Sequence, residues 1–321
     1  MDINYLLALQ SFRDGAGGFL AEFFEKMTYF GENNTIIIIA AIIYWCVSKK
    51  YGEYMLMGWS GGRMVNGFLK ITACIYRPWI RDPRIVPYGD SMTTATGYSF
   101  PSGHSTNGGT LFGGIGVRKD MPKILRGLAF GIMILVGFSR NFLGVHTPQD
   151  VVTGLVTGTL VMWLMFMLMK WLEANPSKDW IVVLSGCLIA IIVGIYAGVK
   201  SYPMDYIDGK LIVDGAKMAK DTFKSVGYCT GFLIGWILER RFVKFTTDLT
   251  MMQRVTRVVF GVFGYYVTGL IISTLLKDYI PGTAGVIISC FIKLFYVSFC
   301  FPWCMRFVDK AAEVSGARAK A

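Results

Sequence analysis

Histidine is nearly absent from this chain. Its 321 residues include only two, His104 and His146. Charge is scarce too, at 17% against about 25% in a soluble domain. Seven cysteines occur (Cys46, Cys74, Cys187, Cys229, Cys290, Cys300 and Cys304), but none form a Cys-x-x-Cys pair. That excludes a zinc ribbon and a disulfide framework and leaves them as small apolar residues. There is no repeat, heptad or low-complexity stretch. The start, Met1-Asp2-Ile3-Asn4, lacks a basic segment before its apolar part, so no cleaved signal peptide is expected. The net charge of +11 comes without a basic run interleaved with aromatics, so nucleic acid is not an expected partner.

What is abundant is apolar: 54% hydrophobic residues, with a mean hydropathy of +0.49. Several stretches approach the roughly 20 residues that cross a bilayer. The pattern predicts an all-α polytopic membrane helix bundle of about nine transmembrane helices, near 34–48, 54–76, 104–117, 123–143, 149–170, 179–199, 222–238, 255–276 and 283–306. The short, glycine-rich third one carries the weakest hydropathy signal. One membrane domain over 1–321 is expected, with an N-terminal region at 1–33, a catalytic core at 34–172 and further transmembrane helices at 173–321. Residues 3–30 read either as an interfacial amphipathic helix or as a helix packed on the bundle.

Lys and Arg collect in one set of loops: Lys49-Lys50, Arg118-Lys119 with Lys123 and Arg126, Arg240-Arg241 with Lys244, Arg254 and Arg257, and Arg306, Lys310, Arg318 and Lys320. The positive-inside rule makes that side cytoplasmic and the N-terminus external. Lys200, Lys210, Lys217 and Lys220 run against it, although Asp205, Asp208, Asp214 and Asp221 balance them. Gly127/Gly131, Gly154/Gly158 and Gly231/Gly235 have the spacing of close helix packing.

Both histidines lie in one constellation. Lys70 is followed seven residues later by Arg77-Pro78, about two helical turns, which places both cations on one face. Pro101-Ser102-Gly103-His104 opens the third span, Ser139-Arg140 closes the fourth, and His146 and Asp150 flank the start of the fifth. All meet at the end of the bundle that the charge bias makes external. Three converging cations need an anion, and a phosphoryl group fits them. Taken singly, Lys70 and Arg77 are ordinary snorkelling residues. Ser102 and Gly103 suit either a phosphate at a helix N-terminus or a plain cap, and the two are compatible. Asp150, one turn from His146, fixes the imidazole tautomer and leaves the other nitrogen free to attack phosphorus. His104 then serves as general acid. No further ligand has metal-site spacing, so no metal or other cofactor is expected.

Lys-x6-Arg-Pro, Pro-Ser-Gly-His and Ser-Arg-x5-His-x3-Asp, in this order, resemble the type 2 phosphatidic acid phosphatase superfamily over residues 70–150. The resemblance implies metal-independent hydrolysis through a phosphohistidine on His146, with Asp150 as its partner and His104 as the acid. It also implies that Lys70, Arg77, Ser102, Gly103 and Arg140 hold the phosphate. The hydrophobic content argues against the family's soluble acid phosphatases and haloperoxidases. The nine-span plan is similar to glucose-6-phosphatase and, less closely, to sphingosine-1-phosphate phosphatases.

The leading expectation is an integral, multi-pass enzyme of the plasma membrane. It would hydrolyse a lipid phosphate or lipid diphosphate at the extracytoplasmic face, among membrane lipids. The alternatives are a soluble sugar phosphate as substrate, phosphotransfer to an alcohol, and a non-catalytic transporter or scramblase. The sequence does not give the oligomeric state. In the loop 79–100, Trp79, Ile80, Ile85, Val86 and Tyr88 suit a lipid approach, and Arg81 and Arg84 a head group. Tyr98, Ser99 and Phe100 adjoin the site. Ordinary loop packing is the simpler reading for each one. Arg63 and Lys293 stand inside predicted spans, which marks either function or a misplaced boundary.

Overall fold

The computed structural model describes residues 2–207, 209–305 and 307–309. Asp208 and the tail cations Arg306, Lys310, Arg318 and Lys320 lie outside the described residues. Among the described residues the chain is all-α apart from one two-stranded hairpin, Tyr206–Ile207 with Lys210–Leu211.

Among the described residues, five helices are long and apolar enough to cross a bilayer: Lys123–Phe142, Pro148–Ala174, Pro176–Val199, Met251–Leu276 and Gly282–Met305. The number becomes six if Gly18–Gly31 and Asn33–Val47, bent by 56°, form one span. The expected nine are therefore not all found. The spans at 54–76, 104–117 and 222–238 fall short for a shared reason, namely polar or short helices. Lys49–Ala73 carries Glu53, Arg63 and Lys70, and Gly215–Leu238 carries Lys217, Lys220, Asp221 and Lys224. The third is three pieces, Gly103–Gly108, a π turn at Gly109–Gly113, and Gly114–Gly116. At 1.5 Å per residue these pieces total about 21 Å, short of a roughly 30 Å hydrocarbon core.

The chain divides into two compact units. The first comprises Met1–Ile36, Gly61–Met167 and Val193–Thr222. Its N-terminal stretch forms Asp2–Gly15 and Gly18–Thr28, separated where Gly17 takes a φ of 78°. These helices contact the rest of the unit. Gln10 exchanges hydrogen bonds with Arg84 O and Val86 N, and buried Arg13 donates to Val86 O. The Glu25 carboxylate accepts from Asp90 N. Phe12, Phe19 and Phe23 stay exposed.

Glycines let the motif helix meet its neighbour. A Cβ on Gly154 would stand 2.7 Å from Ser102 O, and one on Gly158 would overlap Thr106 O. Gly127 and Gly131, with the same spacing, have no atom within 4 Å of an added Cβ, so they are not packing contacts.

The second unit comprises Ile37–Ser60, Leu168–Ile192 and Phe223–Ala321. Gly231 and Gly235 do pack here, against Phe291 and Ser298. Thr250 and Gln253 form a reciprocal capping box on Met251–Tyr279. Of the unit's buried charges, Arg257, Asp179 and Glu239 are matched, whereas Glu53 Oε1 is buried with no hydrogen-bond partner. Arg257 donates to both oxygens of Asp309 and to the carbonyls of Trp45 and Thr246. Buried Asp179 takes Arg240 and Arg241, and buried Glu239 takes Lys49. Lys293 lies on Gly282–Phe295, its Cε 3.1 Å from where a Gly269 Cβ would stand.

Candidate active site

All the motif residues expected to form the site fall in the first unit, and most of them come together. The Lys49–Ala73 helix ends before Arg77, after which Cys74 adopts a φ of 50°. Lys70 and Arg77 are thus not joined by helical periodicity, as the seven-residue spacing suggested. They meet through the loop that follows. Lys70 Nζ donates to Tyr98 O. Arg77 donates from Nε to Gly97 O at 3.0 Å, from Nη2 to Thr96 O at 2.7 Å and from Nη1 to Val145 O at 3.1 Å. Arg77 Nη1 also lies 2.8 Å from His146 Nε2.

A guanidinium can only donate, so His146 Nε2 is the acceptor and the ring proton sits on Nδ1. That nitrogen is 3.3 Å from Asp150 Oδ2. The helix begins at Pro148, which puts Asp150 in its first turn and His146 just ahead of it. Asp150 Oδ2 also accepts from Ser99 Oγ at 2.6 Å and from Thr147 N at 2.9 Å. Asn141 Nδ2 donates to His146 O at 2.9 Å. The tight turn before His146 requires Gly144, at φ 74°. Burial, followed by the Arg77 charge, pushes the His146 pKa well below its ordinary value of 6.5. Burial lowers Arg77 to about 10, against the pull of Asp150 and Asp221, so it stays charged at neutral pH.

Ser102 caps the motif helix by accepting from Ser105 N at 3.3 Å and from Ser105 Oγ at 2.8 Å. Asn66 Nδ2 holds the same loop through Pro101 O and Thr106 Oγ1. The Phe100–Pro101 peptide is cis. Gly31 packs against His104, with 2.9 Å between an added Cβ and the histidine Cβ. His104 Nε2 is buried without a hydrogen-bond partner, as are Nε and Nη2 of Arg140. The remaining Arg140 nitrogen, Nη1, donates to Thr28 Oγ1. The charges of Arg140, Arg77 and Arg63 all reach His104. Among the described residues, no group of three or more His, Cys, Asp and Glu side chains could hold a metal ion.

Four partners were not visible in the motif spacing. Thr28 and Gly31 come from the N-terminal segment. Asp221, buried on Gly215–Leu238, accepts from Thr96 Oγ1 at 2.6 Å and so fastens the loop that holds Arg77. Arg63 is buried beside Gly103, its Nη1 3.1 Å from an added Cβ. Its one sequence signal is that it is a charge inside a predicted span.

A cavity of about 510 Å³ opens beside Arg77 and Gly97. Its walls include Tyr76, Trp79, Ile80, Tyr98, Leu211 and Val213, with Lys217 at the edge. The loop 79–100 otherwise follows the packing reading. Ile85 is buried, Arg81 pairs with Asp2, Arg84 pairs with Asp82, and Tyr88 lies under Arg13.

Residues 50–174 match the family model described as the PAP2 superfamily, and residues 223–313 match the PAP2 superfamily phosphatase transmembrane extension. Phosphatidylglycerophosphatase B of Bacillus subtilis is 31% identical over 157 residues, 45% of this chain and 73% of that protein. Undecaprenyl-diphosphatase of Sulfolobus acidocaldarius is 34% identical over 83 residues, 26% of this chain and 38% of that protein. Glucose-6-phosphatase catalytic subunit 1 of Haplochromis nubilus is 28% identical over 170 residues, 46% of this chain and 48% of that protein. No solved structure matches the chain.

Proposed function

The chain belongs to the PAP2 superfamily of membrane phosphatases, and on that premise we propose that it hydrolyses a lipid phosphate or diphosphate through a phosphohistidine on His146. The observation that carries this reading is the pair of contacts on the His146 ring. Asp150 accepts a hydrogen bond from Nδ1–H, and Arg77 marks the lone pair on Nε2. When substrate binds, Arg77 turns from Nε2 to a phosphoryl oxygen, and the freed lone pair attacks phosphorus. The bond to the leaving oxygen breaks as His104 supplies its proton. Water then attacks the phosphohistidine and gives up a proton to His104. Inorganic phosphate leaves and His146 is restored.

Lys70, Arg77, Arg140, the Ser102 hydroxyl and the Gly103 N–H hold the equatorial oxygens, and Asp150 stabilises the ring as it becomes cationic. The apolar lining of the cavity beside Arg77 supports an amphiphilic substrate. The lysine and arginine bias of the loops supports a site on the extracytoplasmic side of the membrane.

The test is turnover of phosphate-labelled substrate by the purified protein in detergent with EDTA present. The panel holds isoprenyl diphosphate, phosphatidic acid, phosphatidylglycerol phosphate, sphingosine phosphate and glucose 6-phosphate. Phosphate release, an acid-labile labelled protein adduct lost in His146→Ala, and inhibition by vanadate are expected. Loss of activity with EDTA would overturn the metal-free mechanism, and a labelled adduct on His146→Ala would overturn the nucleophile.

A further inference from the structure

Arg63 has no part in the mechanism above, yet it is 4% exposed in the middle of the Lys49–Ala73 helix. An unmatched buried charge costs several kcal/mol. The other site cations are at least partly matched: Lys70 by a carbonyl, Arg77 by three, and Arg140 by the Thr28 hydroxyl. Among the described residues Arg63 makes no ion pair, and its Nε is buried with no hydrogen-bond partner. The guanidinium is turned to the Pro-Ser-Gly-His loop, where it occupies the space a side chain at Gly103 would need. Its charge reaches both His104 and Lys70.

We propose that Arg63 binds an anionic leaving group, which makes the preferred substrate a diphosphate. This rests on the phosphatase reading above. In-line displacement puts the leaving oxygen opposite His146 Nε2, on the side of the proton donor. Arg63 stands beside that donor. A phosphomonoester leaves as an alcohol, which needs the His104 proton and no cation. A diphosphate R–O–PO₂–O–PO₃ leaves as the monoester R–O–PO₃, which carries up to about two negative charges. His146 Nε2 bonds to the terminal phosphorus and the bridging P–O bond breaks. Its electron pair stays on the departing monoester, whose oxygens Arg63 holds by charge-assisted hydrogen bonds.

The experiment compares kcat/KM for an isoprenyl diphosphate and for phosphatidic acid in the wild type, Arg63→Gln and Arg63→Lys. The wild type is expected to favour the diphosphate. In Arg63→Gln the ratio of the two values should fall by about 10- to 150-fold, the worth of a hydrogen bond to a charged group. Arg63→Lys should recover part of it. His104→Ala should slow phosphatidic acid more than the diphosphate, because only the alcohol needs the proton.

An unchanged ratio in Arg63→Gln, or a wild-type preference for phosphatidic acid, would overturn the proposal and leave the phosphatase reading standing. No phosphate release from any of the five substrates of the panel above would overturn that reading itself. Should Arg63→Gln fail to fold, inhibition of the wild type by inorganic pyrophosphate against inorganic phosphate decides. Tighter binding of pyrophosphate by about tenfold or more supports the proposal, and equal binding overturns it.

Discussion

Arg63 and Arg257 are both buried arginines, at 4% and 1% exposure, and they are treated in opposite ways. Arg257 meets both oxygens of Asp309 and two backbone carbonyls. Arg63 and Arg140 keep guanidinium nitrogens with no partner. A fully satisfied buried charge holds a fold together. An unsatisfied one is tolerated where a ligand of opposite charge completes it. The same contrast separates Asp179 and Glu239, each neutralised by basic side chains, from the cations around the two histidines.

Several substitutions sharpen this contrast. The largest effect is expected at His146. Replacing it with alanine should cut phosphate release by roughly 10⁴- to 10⁶-fold, as when a nucleophile is removed elsewhere, with little change in Tm. Arg257→Met should do the reverse. It strands the Asp309 carboxylate and should cost about 3–5 kcal/mol of stability, read as a lower Tm or denaturant midpoint, with the diphosphate preference intact. If Arg257→Met altered that preference, the division between structural and substrate-binding arginines would fail.

Gly158→Ala pushes the motif helix off the Pro148–Ala174 helix. It should cost about 1–3 kcal/mol by overpacking, visible in thermal unfolding. The smallest effect is a shift in a pH profile. His146 must be neutral to attack, and its folded value lies below 6.5, so activity should persist below pH 6.5. Arg77→Met removes a cation beside the ring and raises that value. The acid limb of kcat/KM should then move to higher pH, whatever happens to the maximum rate. A limb that stays put would show that Arg77 does not tune the ring.

The sequence made much of the site legible because its residues recur at short, fixed spacings. Lys70, Arg77, Ser102, Gly103, His104, Arg140, His146 and Asp150 could all be picked out that way. What it hid was contact over long separations. Thr28 meets Arg140 and Asp221 meets Thr96 with no local pattern to announce either pairing. Arg63 stood out only as a charge in an apolar run. The count of nine spans is not confirmed, for a related reason. The segments bearing Arg63, His104 and Asp221 trade apolar residues for site chemistry and shorten or turn polar, so five or six helices among the described residues meet the length and apolarity of a span. The helical character of the N-terminal stretch was legible, but its role as a brace for the loop 79–100 depends on Gln10, Arg13 and Glu25 meeting residues far along the chain.

The Thr96–Asp221 bond also has a consequence in time. The first partner of the site, Thr28, and the last, Asp221, are roughly 190 residues apart. At the usual pace of synthesis that is about 10 to 40 s. The histidines, Lys70 and Arg77 are all made before the carboxylate that braces the arginine's loop. A ribosome stalled between residues 150 and 221 therefore holds every motif residue and an unfinished enzyme, so the moment of first activity should track the emergence of Asp221 rather than of His146.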